Sequence, residues 1–181
     1  MKLPQFFLSC LSRIALRVPF CHPVVRRLPN WLGLPLTAKL IDYARDFENA
    51  IKSDDWSSVE KHFSQAAEYR VRNTSFDCHL VGASRIMEGF RRSLDGFDRQ
   101  LKRSPSVEGP HEDGDTISFI WVNRYVASNA PPLVLSARAT LRYQEGLISL
   151  ITEDYLPGSG EKATRWIEQY NPHLDPSYVE A

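Results

Sequence analysis

Residues 116–156 read TISFIWVNRYVASNAPPLVLSARATLRYQEGLISLITEDYL, and they decide the fold. Three runs rich in β-branched and aromatic residues, 116–127, 133–144 and 147–156, are separated only by turn chemistry. Alternating side chains along such runs give strands with one buried face. Asn129-Ala-Pro-Pro132 joins the first two runs, and Glu145-Gly146 makes a tight hairpin turn between the last two. Sequential strands with short connections form an antiparallel meander.

Upstream of the meander the period is helical. Leu40, Ile41, Ala44, Phe47 and Ile51 recur at helical spacing, with Thr37 as a candidate cap, and predict a helix to about Ser53. Asp54 or Asp55 caps a predicted second helix carrying Trp56, Val59 and Phe63, with His62 bordering the core. Residues 68–72 alternate as a strand, with Tyr69 and Val71 on one side. Residues 73–82 read as a loop. Ile86, Met87, Phe90 and Leu94 mark a third helix that Gly96 ends. Residues 99–107 are an edge-strand candidate because of Pro105, and 111–115 read as a turn. A final helix is expected near 161–170. The expected fold is α+β: a cone-shaped, curved, mostly antiparallel sheet wrapped around three helices, its open end a ligand pocket. The expected units are an arm over 1–36, a cone domain over 37–157, and a C-terminal helix and tail over 158–181.

Composition narrows the function classes. The chain has 181 residues, 43% hydrophobic and 24% charged, enough for one core. Its formal net charge is zero, which gives no whole-chain case for nucleic acid. The charge is unevenly placed. Lys2, Arg13, Arg17, Arg26, Arg27 and Lys39 precede any acidic residue, leaving 16 basic against 22 acidic residues after position 41. Residues 5–18 can be drawn as an amphipathic helix, with Phe7, Leu8, Leu11, Ile14 and Val18 opposite Arg13 and Arg17. Those arginines interrupt any span of the about 20 apolar residues a membrane crossing needs. Two readings of the arm stay open: it lies on a membrane surface, or it covers its own domain or a homodimer partner. Cys10, Cys21 and Cys78 make no paired motif, so the expected compartment is cytoplasmic, at most peripheral to a membrane.

Several motifs together resemble the SnoaL-like, nuclear-transport-factor-two-like superfamily. They are Asp55-Trp56-Ser-Ser-Val59 with His62-Phe63, then Gly82-Ala-Ser-Arg-Ile86, then Glu145-Gly146-Leu-Ile148 leading to Glu153-Asp154-Tyr155. The resemblance covers about 38–156. It implies a pocketed cone in a family of ketosteroid isomerases, polyketide cyclases, limonene-type epoxide hydrolases and non-catalytic members. Against ketosteroid isomerases, the expected tyrosine and base positions fall on Phe47 and Val71, which supply neither donor nor base. Against limonene-type epoxide hydrolases, Asp154-Tyr155 fits the acid-before-Tyr pattern. Where a second carboxylate belongs, the chain reads Trp121-Val-Asn123.

The expected ligand is a hydrophobic, oxygenated small molecule, handled by acid–base chemistry of isomerase, cyclase or epoxide hydrolase type. Neither an organic cofactor nor a metal is expected. The alternative is a non-catalytic ligand-binding or assembly module. Asp154, read as sharing a face with Ile148, Leu150 and Leu156, is the expected proton carrier. Asp77 and His79 are a candidate acid–base pair, or metal ligands, or plain loop polarity. Tyr69, Trp121, Asn123 and Tyr125 are candidate substrate-binding residues, or core. Arg138 is a candidate partner for an acidic ligand group, or for a sheet carboxylate.

Overall fold

The computed structural model describes residues 34–171. The expected helix over 5–18, Cys10 and Cys21 lie outside the described residues. Helix α1 spans Pro35–Ser53 and α2 is a single turn, Ser57–Glu60. Strands β1 (Phe63–Arg72) and β2 (Cys78–Val81) follow, then α3 (Ala83–Gly96) and a short 3-10 turn, Asp98–Gln100. The long strands β3 (Lys102–Asp113), β4 (Thr116–Val126), β5 (Leu133–Gln144) and β6 (Leu147–Tyr155) precede α4 (Ser159–Tyr170). The six strands form one sheet in the order β2-β1-β6-β5-β4-β3. Only β1 and β6 run parallel; every other neighbouring pair is antiparallel.

The meander forms as its turn residues require. Glu145 and Gly146 both take positive φ, 51° and 85°, matching the twist of the flanking strands. Pro105 sits in β3, which is an edge strand and so tolerates the missing N–H.

The structure differs from the sequence reading at five places. The second helix lasts one turn, and Phe63 instead opens β1, which is ten residues long. The 73–82 stretch contains β2, placing Cys78 and His79 on a strand paired with β1. β3 runs through 111–113, so the turn shrinks to Gly114-Asp115. Thr37 does not cap α1, which begins with Pro35. Its N–H and hydroxyl instead donate to the Glu112 carboxylate of β3, at 2.5 and 2.6 Å.

The fifth difference matters most. In β6, Tyr143 faces Ile148 while Arg142 faces Leu150, so Ser149 is an extra residue and the strand bulges. Ile148 and Ile151 are therefore both buried, three apart rather than two or four. Beyond the bulge the inward positions are Ile151, Glu153 and Tyr155. Asp154 lies on the opposite face from Ile148, not on the same one.

α1 and α3 lie on the inner face of the sheet. Leu36, Leu40, Ile86, Met87, Phe90 and Leu94 join Ile117, Leu141, Ile148 and Ile151 in one core. Phe90 makes edge or tilted ring contacts with Phe47, Trp56, Phe63 and Tyr69. A second cluster joins Ala163, Trp166 and Ile167 of α4 to Phe97, Tyr125, Leu133 and Leu135. Trp121 and Tyr155 pack against both clusters, and the cavity opens between them. No described helix is long and apolar enough to cross a membrane.

Candidate functional site

A cavity of about 300 Å³ is lined by α1, α3, β1, β3–β6 and α4. Most of its wall is apolar or aromatic. Leu40, Phe47, Phe90, Leu94, Phe119 and Ile167 supply much of it. Such a wall with few polar groups is the usual build of a small-molecule site. Two polar clusters interrupt it.

Glu153 is the centre of the first. The β6 bulge turns it inward, where it lines the cavity. The Trp121 indole N–H and the Tyr69 hydroxyl are directed at its carboxyl. Burial pushes that carboxyl up to about 7, outweighing the two donors, which favour the charged form. By surface accessibility Glu153 is half-buried, and it lines the cavity. Around it the rings are packed at fixed angles. Trp121 meets Tyr155 edge-on at 5.5 Å, and Tyr69 meets Phe90 at 5.1 Å. Rings locked in this way hold the two donors in place. The Tyr43 and Tyr69 hydroxyls are both raised well above their ordinary range, first by burial and then by the nearby Glu153 charge. They stay protonated near neutral pH.

The second cluster lies where the 3-10 turn meets β3 and β4. Asp98 accepts a hydrogen bond from the Tyr125 hydroxyl. Its Oδ1 is buried with no hydrogen-bond partner. Burial raises the Asp98 carboxyl, while the Arg103 charge and the Tyr125 donor act against that rise. Arg103 is itself bonded to Glu48 of α1 at 2.7 Å. Asn123 adds an amide to the β4 wall.

Of the expected residues, Tyr69, Trp121, Asn123 and Tyr125 all line this one cavity. Asp154, His79, Asp77 and Arg138 do not line it. Asp154 lies on the outer face, in a two-bond ion pair with Arg72 at 2.7 and 2.8 Å. His79 bonds Glu68 at 2.8 Å on the exposed side of β2. Asp77 accepts from the Thr74 N–H at 2.9 Å, which ties the β1–β2 turn. Arg138 is exposed on the outer face, opposite Asp154 in the ladder. Asp77 and His79 thus have separate partners. Among the described residues no group of three or more His, Cys, Asp or Glu is placed to hold a metal ion.

Sequence reasoning passed over Glu153 and Asp98. The adjacent apolar pair Leu150-Ile151 breaks the alternation of β6 and signals the bulge that turns Glu153 inward. Asp98 carries no such signal, because its position depends on how the chain leaves α3.

Solved structures match the chain over about two thirds of its length. A Rhodopseudomonas palustris protein, described in provisional terms as an isomerase, matches at TM-score 0.57 and 12% identity, over 70% of this chain and 96% of its own. A nuclear-transport-factor-two-like protein of unknown function from Burkholderia pseudomallei matches at TM-score 0.54 and 14% identity, over 69% and 94%. A Catenulispora acidiphila protein with a ketosteroid isomerase-like fold matches at TM-score 0.50 and 15% identity, over 66% and 88%. No family model and no curated protein matches the sequence.

Proposed function

From the nuclear-transport-factor-two-like fold that this chain shares with those structures, we propose that the cavity is the active site of a small acid–base enzyme. Its substrate is a hydrophobic, oxygenated small molecule on which a proton is moved, as in an isomerisation or cyclisation. Glu153 is the proton carrier. The single observation behind this reading is a carboxyl that burial has pushed up to about 7, lining an aromatic cavity.

A group poised near the working pH combines a fair share of its basic form with a real driving force for proton transfer. Tyr69 and Trp121 act on the carboxyl from the cavity wall that Glu153 lines. The apolar wall excludes water, which keeps the abstracted proton on Glu153 until it is returned at another carbon. Tyr155 and Asn123 border the same space and supply polar contacts for substrate oxygen. The position that would carry a second acid in limonene-type epoxide hydrolases is Asn123, which favours proton shuttling over epoxide opening.

Full-length protein incubated with a panel of apolar ketones and enones in deuterated buffer tests this reading. Deuterium uptake at carbons next to the carbonyl, followed by NMR, is expected with wild type and lost in Glu153→Gln. Uptake that survives in Glu153→Gln removes Glu153 from its role. Ligand that co-purifies unchanged, with no exchange of any compound, favours the non-catalytic binding module.

A further inference from the structure

The cavity is rich in acid and poor in base. Asp98, Glu153 and Glu48 line it, and Arg103 is the only basic residue among the lining residues. Arg103 is already committed to Glu48 at 2.7 Å, and both of these charges are balanced. Two carboxyls are left over. Glu153 has donors from Trp121 and Tyr69. Asp98 has one donor, Tyr125, and a buried Oδ1 with none. A buried acceptor without a partner is costly unless a ligand completes it.

The charged and titratable groups around Asp98 come from every element packed there. They are Arg103 on β3, Tyr125 on β4, Glu48 on α1 and Glu153 on β6. Burial raises the Asp98 carboxyl and Glu48 adds to the rise, while Arg103 and Tyr125 favour the carboxylate, as a ligand cation would. The walls beside it are rings: Phe47, Phe97, Trp121, Tyr125 and Tyr155 all line the cavity. Phe97 and Tyr125 stand edge to face at 5.0 Å. Ring faces attract cations, and the attraction grows where water is excluded.

We propose that the cavity binds a small apolar amine in its protonated form, with the ammonium group held by Asp98 and the aromatic walls. This rests on the ligand-binding role of the cavity proposed above. Asp98 lines the cavity, so its carboxyl stands beside any ligand bound there. An ammonium group beside Asp98 adds a donor and a counter-charge, and both favour the carboxylate. A neutral alcohol supplies a donor but no charge. A carboxylate ligand enters a cavity already rich in acid and finds Arg103 already paired.

Isothermal calorimetry on full-length protein near pH 7 tests this with three probes of one shape: 1-naphthylmethylamine, 1-naphthylmethanol and 1-naphthoate. Amine and acid are both ionised there. The amine is expected to bind about tenfold or more tighter than the alcohol, as a charge-assisted bond requires, with 1-naphthoate weakest. Asp98→Asn is expected to bring the amine down to the alcohol's affinity and leave the alcohol within about threefold of wild type. Should Asp98→Asn not fold, the wild-type ranking alone decides. Alcohol binding as tightly as amine, or an amine preference that survives in Asp98→Asn, overturns the ammonium site and leaves the cavity reading standing. If none of the three binds, both fall.

Discussion

A carboxyl that titrates near 7 in the folded chain and near the ordinary glutamate value of 4.5 in the unfolded chain links proton binding to folding. Between those two values the folded state holds more protons at Glu153 than the unfolded state does. Its contribution to stability is therefore complete below about 4.5 and is lost as pH rises through 7. The difference is at most about 3 kcal/mol. Glu153→Gln removes the charge and keeps the shape. Subtracting its denaturant-unfolding curve from wild type, point by point between pH 4 and 8, is expected to give a gap that turns against wild type as pH rises. A flat difference contradicts the burial assigned to Glu153. The neighbouring acid behaves differently. Asp154 sits on the outer face with Arg72, where exposed pairs are worth roughly 1 kcal/mol or less. Asp154→Asn is expected to leave ligand binding unchanged, with a small loss of stability measured by denaturant unfolding at neutral pH.

At the scale of elements, the β6 bulge decides which acid faces the cavity. Deleting Ser149 makes the strand regular and keeps Ile148, Ile151 and Glu153 inward, because Ser149 is the residue without its own partner on β5. Deleting Thr152 instead reverses every position after it and turns Asp154 inward. The Ser149 deletion is expected to unfold cooperatively at a higher temperature than the Thr152 deletion, as read by circular dichroism. The opposite order contradicts the register. The same bulge marks the limit of what could be read without coordinates. The meander, the Glu145-Gly146 turn and the edge character of β3 follow from alternation, positive-φ residues and Pro105. The inward row of Trp121, Asn123 and Tyr125 follows from the same alternation in β4, which has no bulge. Strict alternation fails in β6 because one extra residue exchanges the faces. The short β2 was hidden because four residues between a turn and a helix carry too little pattern. Asp98 was hidden because its setting arises from α3, β3 and β4 meeting.

The described residues form two cores with a cavity between them, and α4 lines one side of it. Its seat is tight. A Cβ at Gly160 would come within 2.0 Å of the Asn73 carbonyl oxygen, so the helix approaches the β1–β2 turn only because position 160 is glycine. The buried Ser159 hydroxyl accepts from the Ser136 N–H at 2.8 Å and fixes α4 to β5. Gly160→Ala is expected to cost about 1–3 kcal/mol, and to weaken binding of any cavity ligand, since Ala163 and Ile167 move with the helix. A melting temperature equal to wild type contradicts that seat. Burial in the cavity wall raises Glu153, and the proposed proton transfer depends on that one group. Carbon-13 NMR of side-chain carboxyls, with Glu153 assigned by its absence in Glu153→Gln, measures it directly. A titration midpoint at about 7 is the expected result. A midpoint near 4.5, the ordinary value, contradicts Glu153 as the buried proton carrier of the cavity.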